Sequence, residues 1–192
     1  MIPPVQTCKT WIPFSAGAVL LVASGVFVPA QANAPVQVAQ TPESYQTIAK
    51  NAWSFDLPVD FQPTEIDGLP NASNVSLEAL YTGNNGLLFV NLVTEPLQPG
   101  DQDGYLDNSI QFLGSAGFNV IGEERLQVGS LNAADVESSM SSTPPVRVLQ
   151  RIVASPSTGY ALTCGTLESN FESIRETCAS ILSSLEIAAE AE

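Results

Sequence analysis

The chain has 192 residues, of which 44% are hydrophobic, and its 20 acidic and six basic residues give a net charge of −14. This charge opposes binding to nucleic acid or to anionic membrane surfaces, and the dispersed acids predict a solvated, soluble surface. The sequence contains no histidine, which excludes Ser-His-Asp and Cys-His catalysis and histidine-ligated zinc.

The first segment, residues 1–34, is predicted to be a signal peptide or a signal anchor. Lys9 precedes an uncharged apolar stretch, Trp11–Ala30, and small residues at Ala32 and Ala34 fit a signal-peptidase site. A retained anchor is the alternative, because the stretch approaches the roughly 20 residues that span a bilayer. Both interpretations place the domain outside the cytoplasm, in a periplasm, a lumen or the medium, and it meets the membrane only if the segment is retained.

The rest of the chain is predicted to hold one domain. Residues 35–47 lack clear periodicity and indicate a linker, residues 48–187 are predicted to form the domain, and residues 188–192 form an acidic tail.

The domain is predicted to begin with strands. Trp53–Leu57 alternates apolar and polar residues, and Pro58 and Pro63 then favour a kinked segment at a sheet edge. Two apolar stretches, residues 75–81 and 87–93, flank an Asn-Gly turn, which predicts a β-hairpin.

A first helix is predicted after residue 100. Asp101 and Asp103 suit its positive N-terminal end, and Gly117 suits a left-handed C-terminal cap. The apolar face of this helix comprises Tyr105, Leu106, Ile110, Phe112 and Leu113.

Four strands joined mostly by short turns are predicted next. They cover residues 120–127, 133–140, 146–154 and 160–164, and the last two form the best hairpin in the chain.

The final helix has the clearest pattern. Ser169-x-x-Glu172 predicts a capping box at its start, and apolar residues then recur at steps of three and four. These residues are Phe171, Ile174, Cys178, Ile181, Leu182 and Leu185.

Hairpin-length connections and two helices with single apolar stripes predict the α+β class. We expect an antiparallel sheet of about six to seven strands with two main helices packed on it.

Three stretches resemble the PsbP-like and DcrB-like superfamily of small exported α/β domains. They are Phe55-x-Leu57-Pro58-x-x-Phe61, Ser115-Ala116-Gly117-Phe118, and Tyr160–Cys164 leading into Phe171–Ser184. The resemblance implies an α/β/α sandwich with an antiparallel sheet. It also implies a protein that is typically not an enzyme, since some members attach to or help assemble photosynthetic membrane complexes. It supplies no catalytic or cofactor-binding residue for this chain.

Cys164 and Cys178 are the two cysteines that follow the leader, and a disulfide between them is predicted. Strand alternation places Cys164 on the face of Tyr160 and Leu162, while helical spacing places Cys178 on the apolar stripe. An exported protein favours the oxidised pair. Two reduced core cysteines, or a reactive thiol, are the alternatives.

Two further groups of charged residues have a functional and a structural interpretation. Asp101, Asp103 and Asp107 partly match a calcium loop, but the remaining ligand positions of that loop are not filled, so helix capping is the main interpretation. Arg147 and Arg151 share a strand face, which favours a solvated stripe over an anion site.

The leading hypothesis is therefore an exported, non-enzymatic accessory domain without a cofactor, which binds an unidentified protein or membrane-complex partner. The alternative is a small-ligand or calcium-binding module around residues 101–107. A hydrolase that uses carboxylates alone is not indicated, because no spaced pair of acids stands out.

Overall fold

The computed structural model describes residues 44–65, 74–83, 86 and 88–188. The predicted leader, most of the predicted linker and residues 189–192 of the acidic tail lie outside these ranges. Within them, no helix is long and apolar enough to cross a membrane.

The described chain contains ten strands and two helices. The first half holds β1 (Tyr45–Lys50), β2 (Trp53–Pro58), β3 (Gln62–Pro63), β4 (Ser76–Gly83) and β5 (Leu88–Pro96). Helix α1 (Gln102–Ser115) is followed by β6 (Phe118–Val128), β7 (Leu131–Met140), β8 (Val146–Ala154) and β9 (Thr158–Leu167). A 3-10 turn at Glu168–Asn170 leads into α2 (Phe171–Ser183) and β10 (Glu186–Ile187).

The strands form two antiparallel sheets. Seven strands lie in the order β3-β4-β5-β9-β8-β7-β6, and a smaller sheet has the order β1-β2-β10. Helix α1 carries the chain from the interior strand β5 to the edge strand β6, and three hairpin connections then bring it back to β9 beside β5. The predicted α+β class and the antiparallel sheet are confirmed.

The two helices cover opposite faces of the large sheet. On β8, Val148 and Ile152 pack in one cluster with Tyr105 of α1, whereas Val153 packs in another cluster with Ile181 of α2. This separation follows from the alternation of side chains along a strand. The structure is therefore an α/β/α sandwich, as the resemblance implied.

The face covered by α2 also receives the small sheet. Trp53, Phe55 and Leu57 of β2 alternate into the same core as α2. The hydroxyl Oγ of Ser184 accepts a hydrogen bond of 2.8 Å from the backbone N–H of Asp56, which ties the end of α2 to β2. Strand β2 is thus held both by apolar burial and by the C-terminal end of the helix.

The predicted disulfide between Cys164 and Cys178 is present. Both residues are fully buried, and the bond joins β9 at the centre of the large sheet to the middle of α2, with Cα atoms 5.4 Å apart. The strand alternation and helical spacing used in the prediction place both sulfur atoms in the same core.

Arg151 of β8 holds the C-terminal end of α2. Its guanidinium donates hydrogen bonds of 2.7 Å to both carboxylate oxygens of Asp135 on β7 and one of 2.6 Å to the carbonyl oxygen of Leu182. The last carbonyls of a helix have no partner within the helix, and a cation also complements the helix dipole there. Arg151 is only 7% exposed, so the prediction of a solvated stripe is wrong for this residue.

The N-terminal end of α2 is held by two other arginines. The guanidinium carbons of Arg147 and Arg175 each lie 5.0 Å from the centroid of the Phe171 ring. Glu137 of β7 accepts hydrogen bonds from both arginines. This cluster joins the first turn of α2 to β7 and β8.

Two local predictions are corrected by the structure. Strand β1 begins at Tyr45, three residues before the predicted start of the domain, because its pairing with β2 orders a segment that lacks periodicity of its own. The predicted capping box does not form: Ser169 lies in the 3-10 turn, the N-cap is Asn170, and Glu172 accepts hydrogen bonds from Arg175. The left-handed conformation predicted at Gly117 is confirmed by its φ of 92°.

Removal of the disulfide is expected to lower stability without changing the fold. The double variant Cys164→Ala, Cys178→Ala should lose about 3 kcal/mol in urea unfolding, because a closed loop of this length restricts the unfolded chain by roughly that amount. Reducing agent should destabilise the wild-type protein and leave the variant unchanged. Alkylation of Cys164 and Cys178 in the unreduced, denatured protein would contradict the assignment.

Replacement of Arg151 is expected to cost more than replacement of an exposed arginine. Arg151→Met leaves the Asp135 carboxylate and the Leu182 carbonyl without their donor, so we expect a loss of about 2–3 kcal/mol in the free energy of unfolding. Arg125→Met is the control, since its exposed ion pairs predict a loss below about 1 kcal/mol. Equal losses in the two variants would show that Arg151 has no special role.

Candidate functional site

The three aspartates considered as calcium ligands do not form a common site. Asp101 accepts a hydrogen bond from the backbone N–H of Gln98 at 3.2 Å and does not cap α1 through its side chain. Asp103 lies in the first turn of α1, and Asp107 accepts a hydrogen bond of 2.6 Å from Arg125. Across the described ranges, no three carboxylates or thiols converge as a metal site.

Every basic residue of the described chain is paired with a carboxylate. Three of these five basic residues bind carboxylates of the large sheet and α2. Lys50 joins β1 to β4, and Arg125 joins β6 to α1. The pairs are Lys50 with Glu78, Arg125 with Asp107 and Glu123, Arg147 with Glu137 and Glu172, Arg151 with Asp135, and Arg175 with Glu137 and Glu172. The charges that remain for a ligand are therefore carboxylates.

Strand β6 forms one edge of the large sheet and is the most exposed long strand. It has 11 residues, and its outer edge pairs with no other described strand. A bulge between Val120 and Gly122 leaves Ile121 46% exposed, and from Gly122 to Val128 the pairing with β7 is regular. The opposite edge, β3, has only two residues.

The side chains of β6 differ between its two faces. Glu123 and Arg125 lie on the face of α1, where both Glu123 and Asp107 bind the Arg125 guanidinium at 2.6 Å. Glu124 and Leu126 lie on the face of α2, where Leu126 packs against the core of that face. Glu124 forms no ion pair with the described part of the chain, so β6 carries an unpaired negative charge on the face of α2. On the face of α1, Glu123 and Asp107 together exceed the single positive charge of Arg125.

Two clefts lie beside the hairpin of β1 and β2, with volumes of about 250 and 240 Å³. Both are lined by Ala49, Lys50 and Trp53. The ammonium of Lys50 lies 5.6 Å from the Trp53 ring centroid and binds the carbonyl and the carboxylate of Glu78. The Trp53 ring is 4% exposed, so it offers little surface for stacking on a ligand.

Comparison with known proteins identifies the fold. Neither a family model nor a curated protein matches the amino-acid sequence. Among solved structures, the chain is similar to cyanobacterial PsbP (CyanoP) from Synechocystis sp. PCC 6803, with a TM-score of 0.56 and 9% identity over 81% of this chain and 98% of that one. This is the PsbP-like fold.

A second solved structure supports the assignment. The chain is also similar to LpqN of Mycobacterium tuberculosis, a protein involved in cell envelope biogenesis, with a TM-score of 0.55 and 14% identity over 76% of this chain and 91% of that one. The superfamily resemblance predicted from the sequence is confirmed for the fold.

The domain also contains a buried acid that was not predicted from the sequence. Glu95 at the end of β5 is 3% exposed beneath α1, and no arginine or lysine of the described chain pairs with it. The neighbouring Tyr105 ring packs on Gly159, where a Cβ atom would lie 2.2 Å from the ring. Burial raises the pKa of Glu95. Its position in an apolar strand sequence was the signal that could have revealed it.

Glu95→Gln is expected to stabilise the protein at neutral pH. The pKa of Glu95 is raised in the folded state, so protonation of this side chain favours folding. This contribution to the free energy of unfolding is complete below the ordinary pKa of 4.5, and it is lost as the pH rises through the folded-state pKa. The melting temperature of Glu95→Gln should therefore exceed that of the wild type at pH 7, by roughly 2–4 °C if the effect is about 1 kcal/mol.

At pH 4 the Glu95→Gln variant and the wild-type protein should melt together. Glu176→Gln, an exposed site on α2, is the control and should not change the melting temperature at pH 7. An increase of equal size at both pH values would contradict the assignment, because it would not depend on ionisation of Glu95.

Proposed function

We propose that this PsbP-like domain is an exported, non-enzymatic accessory domain that binds a partner protein along strand β6. The observation that carries the proposal is the open edge of β6, with its regular segment Gly122–Val128 and its unpaired Glu124. An edge strand of this length presents a row of backbone donors and acceptors, and extended segments of other proteins bind such rows by strand addition.

Two features support the export of the domain. The leader predicted at residues 1–34 has the parts of a secretory signal. The buried disulfide between Cys164 and Cys178 fits a compartment in which such bonds form and persist.

The acidic and basic groups support binding better than catalysis. Lys50 and Glu78, the charged pair beside the clefts, bind each other, and the buried Glu95 lines neither cleft. A general acid or base must reach a proton of the substrate. The buried Glu95 has no such access, and the Lys50 ammonium and the Glu78 carboxylate, although they line a cleft, are bound to each other.

The calcium-binding alternative gains no support from the arrangement of Asp101, Asp103 and Asp107. Calcium requires six to eight oxygen ligands around one point, whereas Asp107 is bound to Arg125 and Asp101 to the backbone of Gln98. Binding along β6 is thus the function that the geometry supports best.

Site-specific photo-crosslinking in the native organism tests this function. A benzophenone amino acid at Gln127, exposed on β6, should give one discrete adduct with a protein of the same compartment. The same group at Glu176, exposed on α2, should not give that adduct. No adduct from position 127, or the same adduct from both positions, would overturn binding along β6.

A further inference from the structure

We infer that the partner of β6 is an extended basic segment that adds to the large sheet as an outer strand, with a cation beside Glu124 and an apolar side chain beside Leu126. This inference rests on the proposed function and specifies the chemistry of the partner.

The backbone of β6 has the length that strand addition needs. Its register with β7 is unbroken from Gly122 to Val128, which is at least as long as a typical strand of about five or six residues. The inner edge of this segment is paired with β7, so its outward-facing amide and carbonyl groups are available to an added strand.

On the face of the large sheet that α2 covers, β6 favours a cation and an apolar residue in the added strand. Glu124 stands directly opposite Asp135 of β7, whose carboxylate is already bound by Arg151. Two neighbouring carboxylates repel each other, and a lysine or arginine next to Glu124 on an added strand would offset that repulsion. Leu126, opposite Ala133, is only partly buried, so an apolar side chain beside it would extend the existing core.

On the face of the large sheet that α1 covers, β6 also favours a cation in the added strand. Here Arg125 is shared by the carboxylates of Glu123 and Asp107. Two negative charges and one positive charge leave this group with a net negative charge. A basic residue beside Glu123 would therefore find an attractive potential on this face too.

The same features oppose pairing of β6 with a second copy of itself. Two antiparallel copies paired over the whole of Gly122–Val128 would place Arg125 opposite Arg125, and registers centred on the acids would place Glu123 and Glu124 near those of the other copy. Like charges across a strand pair are unfavourable in each case. The bulge at Ile121 also shortens the segment that could pair. The outer edge of β6 therefore favours a basic partner strand over a second copy of itself.

Peptide binding to the purified protein tests the inference. The probe is a fluorescent peptide of about nine residues that repeats lysine, threonine, valine and threonine, so that lysine and valine lie two apart on one face in either strand direction. We expect it to bind and to slow amide hydrogen exchange in β6. Replacement of its lysines by glutamate, or of its threonines by proline, which removes backbone donors, should abolish binding.

Charge reversal at Glu124 locates the contact. Glu124→Lys should weaken the lysine peptide about five- to tenfold, and Glu124→Gln about two- to threefold, as expected for loss of one partly exposed ion pair. Glu176→Lys makes the same change in net charge on α2 and should leave the affinity within about twofold. Thermal melting of each variant verifies that it is folded.

Three results would overturn the inference: no binding of the lysine peptide, equal weakening by the Glu124 and Glu176 reversals, or equal binding of the proline peptide. An adduct between Gln127 and a protein segment without basic residues would also overturn it while leaving the proposed function intact. Absence of any adduct at Gln127 would instead remove the proposed function itself.

Discussion

The attachment of helix α2 to the large sheet is the constraint on which the rest of the domain depends. The helix is fixed at its first turn by the contacts of Phe171 with two arginines, in its middle by the disulfide of Cys178, and at its end by the bond from Arg151 to the Leu182 carbonyl. The small sheet then packs on this helix, with β2 bonded to Ser184. A shift of α2 would therefore disturb both sheets together.

The same attachment contributes to the negative charge of the surface. The described chain has five cations, and Arg147, Arg151 and Arg175 all bind carboxylates that join α2 to the sheet or stabilise that contact. Lys50 and Arg125 are likewise bound by neighbouring acids. Because these cations are all bound to carboxylates of the domain, the charges left unpaired on the surface of the described chain are acidic.

Periodic features were predictable from the sequence, whereas features that arise from contacts between distant elements were not. The stripe that contains Ile174 and Ile181 and the alternation at Cys164 report burial directly, so α2 and the disulfide were predicted correctly. Arg151 gave no such indication, and the apolar neighbours of Glu95 were the one sign of its burial, since the burial of both residues depends on α1 and α2 covering the two faces. The exposed edge of β6 follows only from the strand order, which local patterns do not contain.

The crossover formed by α1 also has a consequence for how the chain is made. Synthesis proceeds from the N-terminus, so β5 leaves the ribosome well before its partner β9, with which it pairs from Leu88↔Thr166 to Pro96↔Thr158. Before β9 is present, β5 pairs only with β4, and its other edge has no partner strand. The meander from β6 to β9 is local and forms quickly, whereas closure of the sheet at β5 and β9 must await nearly the whole chain. Completion of the core therefore depends on β9, and a chain that ends before this strand leaves one edge of β5 unpaired.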